Sequence, residues 1–454
     1  MKQYSYISLI IFIVLVSCVE PIDVGPLVNG SANSSGILVI EASLTDEIAR
    51  QRIFISKSRS IQSDSTVNVE EDVLFNPNTP FISPRGLDVD REEDALVALN
   101  TSLGNRIIFA ESEPGIYEAP ESFVAEREVG YTLNITTADG ENYASTEKRM
   151  VGSSTIDALY AERTASDTGV DGMGIFVDTS TPDNESSLYR YTFEETYKII
   201  APNWTAFEFE VIREEIEFIF DANGDVAQVL YPDVGLVPRV RQEQVCFKTD
   251  PSQEILLLDA SRLQNTSAKR NQIRFINSNN PILSHRYSIL VRQMAISFEA
   301  FQFYENLRNF TQSELVFSQI QPGPLEGNIT SETGNNKVIG FFDISSVTSQ
   351  RMYFNYEDFY PNEPLPPYFG NVNCNRTAAV PLAPILVNPE RDGPIEGSCP
   401  QPLIPRIKLE LVEWVGANSD PPGTCEGPYV VTPTICGDCT VVGSNVVPEF
   451  WTEE

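Results

Sequence analysis

Cys436 and Cys439 form a C-x-x-C within CEGPYVVTPTICGDCTVVGSNVVPEFW near the end of the chain. That spacing serves three chemistries: a zinc ligand pair, a dithiol redox centre, or two half-cystines bonded elsewhere. A four-cysteine zinc site needs a second close pair, and Cys246, Cys374, Cys399 and Cys425 supply none. A redox centre wants its motif at the start of a helix, whereas Gly437, Asp438 and the following Val441-Val442-Gly443 read as a loop. The single histidine, His285, leaves any His-dependent metal or nucleophile site to one residue, and it stands at the entrance of an alternating strand, RYSILVRQ. The run Asp221 to Asp225 has its glycine at the fourth position instead of the sixth, so it reads as an Asn-Gly turn, not a calcium loop. No metal and no cofactor are expected.

Redox compartment decides among the readings of the cysteines. The chain opens MKQYSYISLIIFIVLVSCVEP, with Lys2 ahead of an apolar run from Ile7 to Val16. The run is too short to span a bilayer and suits the core of an export signal. Leu15-Val16-Ser17-Cys18 resembles the lipobox of bacterial lipoproteins, which implies removal of residues 1–17 and acylation of Cys18. Acyl chains such as palmitate anchor by about 0.8 kcal/mol per buried methylene. Residues 18–36, rich in Pro, Gly, Ser and Asn, read as a flexible tether. Val19 occupies the position where inner-membrane retention would want aspartate, so the expected address is the outer membrane, facing the cell exterior.

In an exported protein the remaining six cysteines are expected to form three disulfides among fifteen possible connectivities. Five of the six lie in the last hundred residues, so full pairing takes Cys246 into that tail. Such a link, over more than about a hundred residues, is worth on the order of 4–5 kcal/mol in the chain-entropy treatment.

The elements behind these residues read as mainly β. With 64 acidic against 31 basic residues, a net charge of −33, the chain is unsuited to nucleic acid or an anionic lipid surface. Residues 37–151 give short strands and hairpins turning at Gly104-Asn105 and Asp139-Gly140, predicting an immunoglobulin-like β-sandwich. Residues 152–360 predict a second β-rich domain with a hairpin at Asn223-Gly224. It holds one helix near 297–309, capped by Ser297 and presenting Ala300, Phe303, Tyr304 and Leu307 on one face. Residues 361–454 form a proline- and cysteine-rich tail packed on that domain. Trp204, Tyr356, Tyr360 and Tyr368 are candidate ligand or partner contacts, against the alternative of ordinary packing.

Several strings in order, including ILVIEASLTDE, GYTLNITTADGENYAS, LYRYTFEETYKI, RYSILVRQMAISFEAFQFYENL and GPLEGNITSETGNNKVIGFFDIS, resemble the Bacteroidota lipoprotein family of domain of unknown function 4249. Members are typically encoded beside SusC-like, TonB-dependent outer-membrane transporters. The resemblance implies a non-enzymatic binding or accessory subunit of such a transporter. The alternatives are an adhesin or structural surface module, and a surface glycosidase working through two carboxylates about 5–9 Å apart.

Overall fold

The computed structural model describes residues 37–57, 90–153, 155–181, 186–215, 217–230, 232–261, 263, 267–312, 325, 327–333, 337–369, 372–378, 403–419 and 427–453. The expected lipobox and tether, and Cys399 and Cys425, lie outside them.

The first body contains β1 (Leu38–Thr45), β2 (Arg52–Lys57), β3 (Asp90–Arg91), β4 (Leu96–Thr101), β5 (Arg106–Glu113), β6 (Ile116–Glu118), β7 (Tyr131–Thr136) and β8 (Asn142–Ser145). The second contains β9 (Thr155–Ala165), β10 (Asp171–Ser180), β11 (Leu188–Ile200), β12 (Phe207–Arg213), β13 (Glu217–Phe220), β14 (Val226–Leu230), β15 (Asp233–Pro238), β16 (Val245–Pro251), β17 (Leu256–Asp259), β18 (Ser267–Asn277) and β19 (Arg286–Ala295). Helix α1 (Phe298–Gln312), β20 (Ile329–Ser331), β21 (Val338–Asn355), α2 (Tyr356–Phe359), β22 (Thr377–Ala378), α3 (Leu403–Lys408), β23 (Val412–Ala417), β24 (Tyr429–Pro433) and α4 (Thr434–Gly437) follow.

In β1, Leu38, Ile40, Ala42 and Leu44 are buried while the residues between them are not, the period-2 pattern of a strand with one wet face. Their register sets Ile40 opposite Ile55 and Ala42 opposite Ile53 of β2. β5 pairs with β4 through Arg106–Phe109 and with β6 from Ala110 onward, across a bulge. By changing partners it carries the chain from one layer to the other, and Val97, Leu99, Leu133 and Ile135 then close on the β1 and β2 side chains. Gly104 (φ 86°) and Gly140 (φ 85°) stand at the two predicted turns, where positive φ is cheapest for glycine.

The sequence domains are not sealed from one another. The first half of β21 runs parallel to β1, from Leu38 opposite Val338 to Thr45 opposite Ser345. Its second half runs antiparallel to β19, from Ser346 opposite Ala295 to Asn355 opposite Arg286. β20 adds to the free edge of β8. β20 and the first half of β21 therefore complete the first sandwich, and one 18-residue strand belongs to both bodies.

In the second sandwich a sheet ordered β16-β11-β19-β21 faces the three strands β18-β10-β9. Tyr189, Tyr191, Phe193, Tyr197 and Ile199 of β11 point inward against Met173, Ile175 and Val177 of β10. Helix α1 begins where predicted, with the Ser297 hydroxyl accepting the Ala300 N–H at 3.1 Å. Its Ala300, Phe303 and Tyr304 pack on Phe341 and Met294 where the two bodies meet.

Cys246 of β16 bonds to Cys439, and Cys374 bonds to Cys436. The C-x-x-C is not an open loop: Cys436 lies in the single turn α4 and Cys439 begins a 3-10 turn after it. Each half of the motif faces a different partner, and Ile435 and Val442 fill the second core beside them. Arg239, buried with Glu243, pairs with both Glu243 and Glu413 and so ties β23 of the tail to the body. A third, smaller core forms where Val234, at the end of the β12–β15 pair nearest β13 and β14, meets Leu403, Ile404, Val412 and Val431.

Candidate functional site

An open cleft of about 670 Å³ lies at one end of the second sandwich. The end of β11 supplies Lys198 and Ile200, the entrance of β19 His285 and Arg286, and the end of β21 Asn355. Helix α2 adds Tyr356, Glu357 and Asp358, and the chain beyond it contributes Glu363 and Leu365. The Tyr356 N–H donates to the His285 carbonyl at 3.0 Å, which sets α2 against the strand entrance. From the C-terminal segment, Glu453 closes the wall.

Most of the polar groups lining the cleft are already engaged. Lys198 Nζ donates to both oxygens of Glu453, at 3.0 and 2.9 Å, and this holds the Glu453 carboxyl below the usual range. Asp358 accepts the Asn355 N–H at 2.7 Å, and Glu363 pairs with Arg163 at 2.6 Å. Arg286, 5% exposed, donates to Asn355 Oδ1 and Thr452 Oγ1 at 3.2 and 3.3 Å. Burial, reinforced by Lys198, pushes the His285 imidazole down, so it is neutral at pH 7. Glu357 alone among the four carboxylates has no partner among the described residues. A two-carboxylate hydrolysis needs an acid with a raised proton affinity beside a free base. This wall instead offers one free carboxylate, a neutral imidazole and fixed hydrogen-bonding groups.

A second surface stands out by its lack of cover. The β12–β15 hairpin continues outward as the ribbon β13–β14, whose strands pair, among the described residues, only with each other. Phe218 lies opposite Val229 and Phe220 opposite Val226, which puts all four on one face of the ribbon. Phe218, Phe220 and Val226 are 54%, 59% and 51% exposed. Gly224 (φ 85°) makes the predicted Asn-Gly turn at the tip, and Asp221 Oδ1 accepts the N–H groups of Asn223 and Asp225 there.

The four aromatic candidates fall elsewhere. Tyr356 and Tyr360 are 5% and 1% exposed and stack at 4.8 Å, with the Arg163 guanidinium 4.2 Å from the Tyr360 ring. These two are interior residues, a correction to the expectation of exposed contacts. Trp204 and Tyr368 are half-buried against the second core, with Trp204 Nε1 and Tyr368 Oη enclosed. Only Tyr356 reaches the cleft wall. Irregular, proline-rich chain carries no periodicity from which the direction of a side chain can be read.

Sequence reasoning singled out His285 but missed Lys198, Arg286, Glu357 and Glu453, which come together from positions 255 residues apart and share no local motif. Among the described residues no group of three or more His, Cys, Asp or Glu side chains is placed to hold a metal ion. No helix among them is long and apolar enough to cross a membrane.

No curated protein matches the chain. The profile of the family described as Domain of unknown function (DUF4249) matches residues 26–351, from ahead of β1 to Arg351 within β21. That is well over half the chain and takes in both sandwiches, and the stapled tail lies beyond it. The chain belongs to the DUF4249 family.

Proposed function

We propose that this protein is a lipid-anchored, non-enzymatic binding or accessory subunit at the outer face of the outer membrane, working with a TonB-dependent, SusC-like transporter. The observation that carries the reading is the cleft at the end of the second sandwich. It is large enough for a small polar ligand, yet three of its four carboxylates are committed to bonds within the chain and its histidine is neutral. Groups held in this way fit recognition better than proton transfer. The lipobox at Cys18 supports the anchor, and the net charge of −33 favours a body standing off an anionic surface. Tethering to the same membrane as a transporter raises the effective concentration of each for the other without any new contact.

The test is a detergent pull-down of the full-length protein from native outer membranes. Recovery of a barrel transporter in equal amount is the expected result. Recovery of none, or a mature chain that carries no acyl group on Cys18, overturns the reading.

A further inference from the structure

The ribbon β13–β14 is a poor free-standing structure. Two-stranded ribbons are marginal in water, and among the described residues this one has no strand on either outer edge and an apolar face open to solvent. Exposed apolar surface of this kind, rimmed by polar groups, marks an interaction site. The rim is mainly acidic: Glu214, Glu215, Glu217, Asp221 and Asp225 flank the apolar residues, against two bases at its inner end, Arg213 at 3.7 Å from Glu217 and Lys408 at 2.8 Å from Glu214.

Charge selects among the possible occupants. An anionic lipid surface is repelled by the acidic rim. A second copy, apolar face to apolar face, brings two acidic rims together. A partner whose apolar segment is flanked by lysine or arginine meets neither penalty and gains complementary pairs. The open edges offer backbone N–H and C=O groups to an extended chain, so strand addition supplies main-chain bonds while Phe218 and Phe220 supply the apolar contact.

We propose that the β13–β14 ribbon is the docking element for a partner protein that adds an extended, apolar, basic-flanked segment to it. The proposal deepens the accessory-subunit reading and rests on it only for the partner being another protein at the same membrane.

The experiment places a photo-reactive phenylalanine analogue at Phe218 of the full-length protein in its native host, with Leu103, 68% exposed on the first sandwich, as the control position. The expected result is a single protein adduct from position 218 and none from 103. Its partner peptide is apolar with flanking Lys or Arg, and its yield falls at least tenfold in Glu215→Lys/Asp225→Lys, substitutions of exposed groups that leave the core untouched. An adduct with lipid, with a second copy of the chain, or with an acidic peptide overturns the proposal, as does equal labelling from 103. If a transporter co-purifies while position 218 gives no adduct, the docking proposal fails and the accessory reading stands. If the adduct is a basic-flanked protein other than a transporter, the reverse holds.

Discussion

Asp343 shows how a single carboxyl can record the meeting of the two bodies. It is 2% exposed on β21, and burial pushes it up to about 6 against the pull of the Ser345 hydroxyl, the Ile344 N–H, Lys148 and Arg190. The folded chain therefore holds this proton more tightly than the unfolded chain, whose value is near 3.8. The stability it contributes is complete below that value and is lost as the pH rises through about 6. Asp343→Asn keeps an acceptor for Ser345 and removes the buried charge. We predict that it raises stability at pH 8 by up to about 3 kcal/mol, with the gain vanishing below about pH 4. Urea unfolding at the two pH values checks this, and a variant no more stable than the parent at pH 8 contradicts it. At this scale the sequence was readable where a residue acts locally, as with the Ser297 cap and the position of His285 before β19. Asp343 was not readable, because its burial comes from α1 and β1, which no nearby residue announces.

Turn chemistry made the hairpins legible: Gly104, Gly140 and Gly224 all adopt the positive φ that their neighbouring residues called for. The long strand β21 was not legible. It runs unbroken from Val338 to Asn355 because each half finds a partner distant in sequence, β1 in parallel and β19 in antiparallel. The parallel half leaves little room. A Cβ on Gly340 would stand 2.5 Å from the Ile40 carbonyl oxygen and 3.0 Å from its Cβ. Gly340→Ala is predicted to cost about 1–3 kcal/mol. Hydrogen exchange should quicken at the β1 amides and stay unchanged at β11, and uniform exchange across both strands would refute this assignment.

For the molecule as a whole, the count of cysteines already required a link from Cys246 into the tail, but the choice of Cys439 needed the geometry of β16 and the 3-10 turn. The bond spans a sequence separation of 193 residues. Cys246→Ser/Cys439→Ser is predicted to lose about 2–5 kcal/mol and to make the tail sensitive to protease, read by melting and limited proteolysis. Resistance equal to the parent would show that Arg239 and the small core beside α3 hold the tail unaided. The strand common to both sandwiches has a mechanical consequence. Traction on the chain ahead of β1, opposed by a load on the second body, runs along the strand axis and enters through the eight parallel register pairs from Leu38 to Thr45. Force in that direction slides the strands past each other and strains their hydrogen bonds together, instead of peeling them open one after another. The join between the two bodies is thus built as a shear clamp, suited to a molecule pulled from one end while gripped at the other.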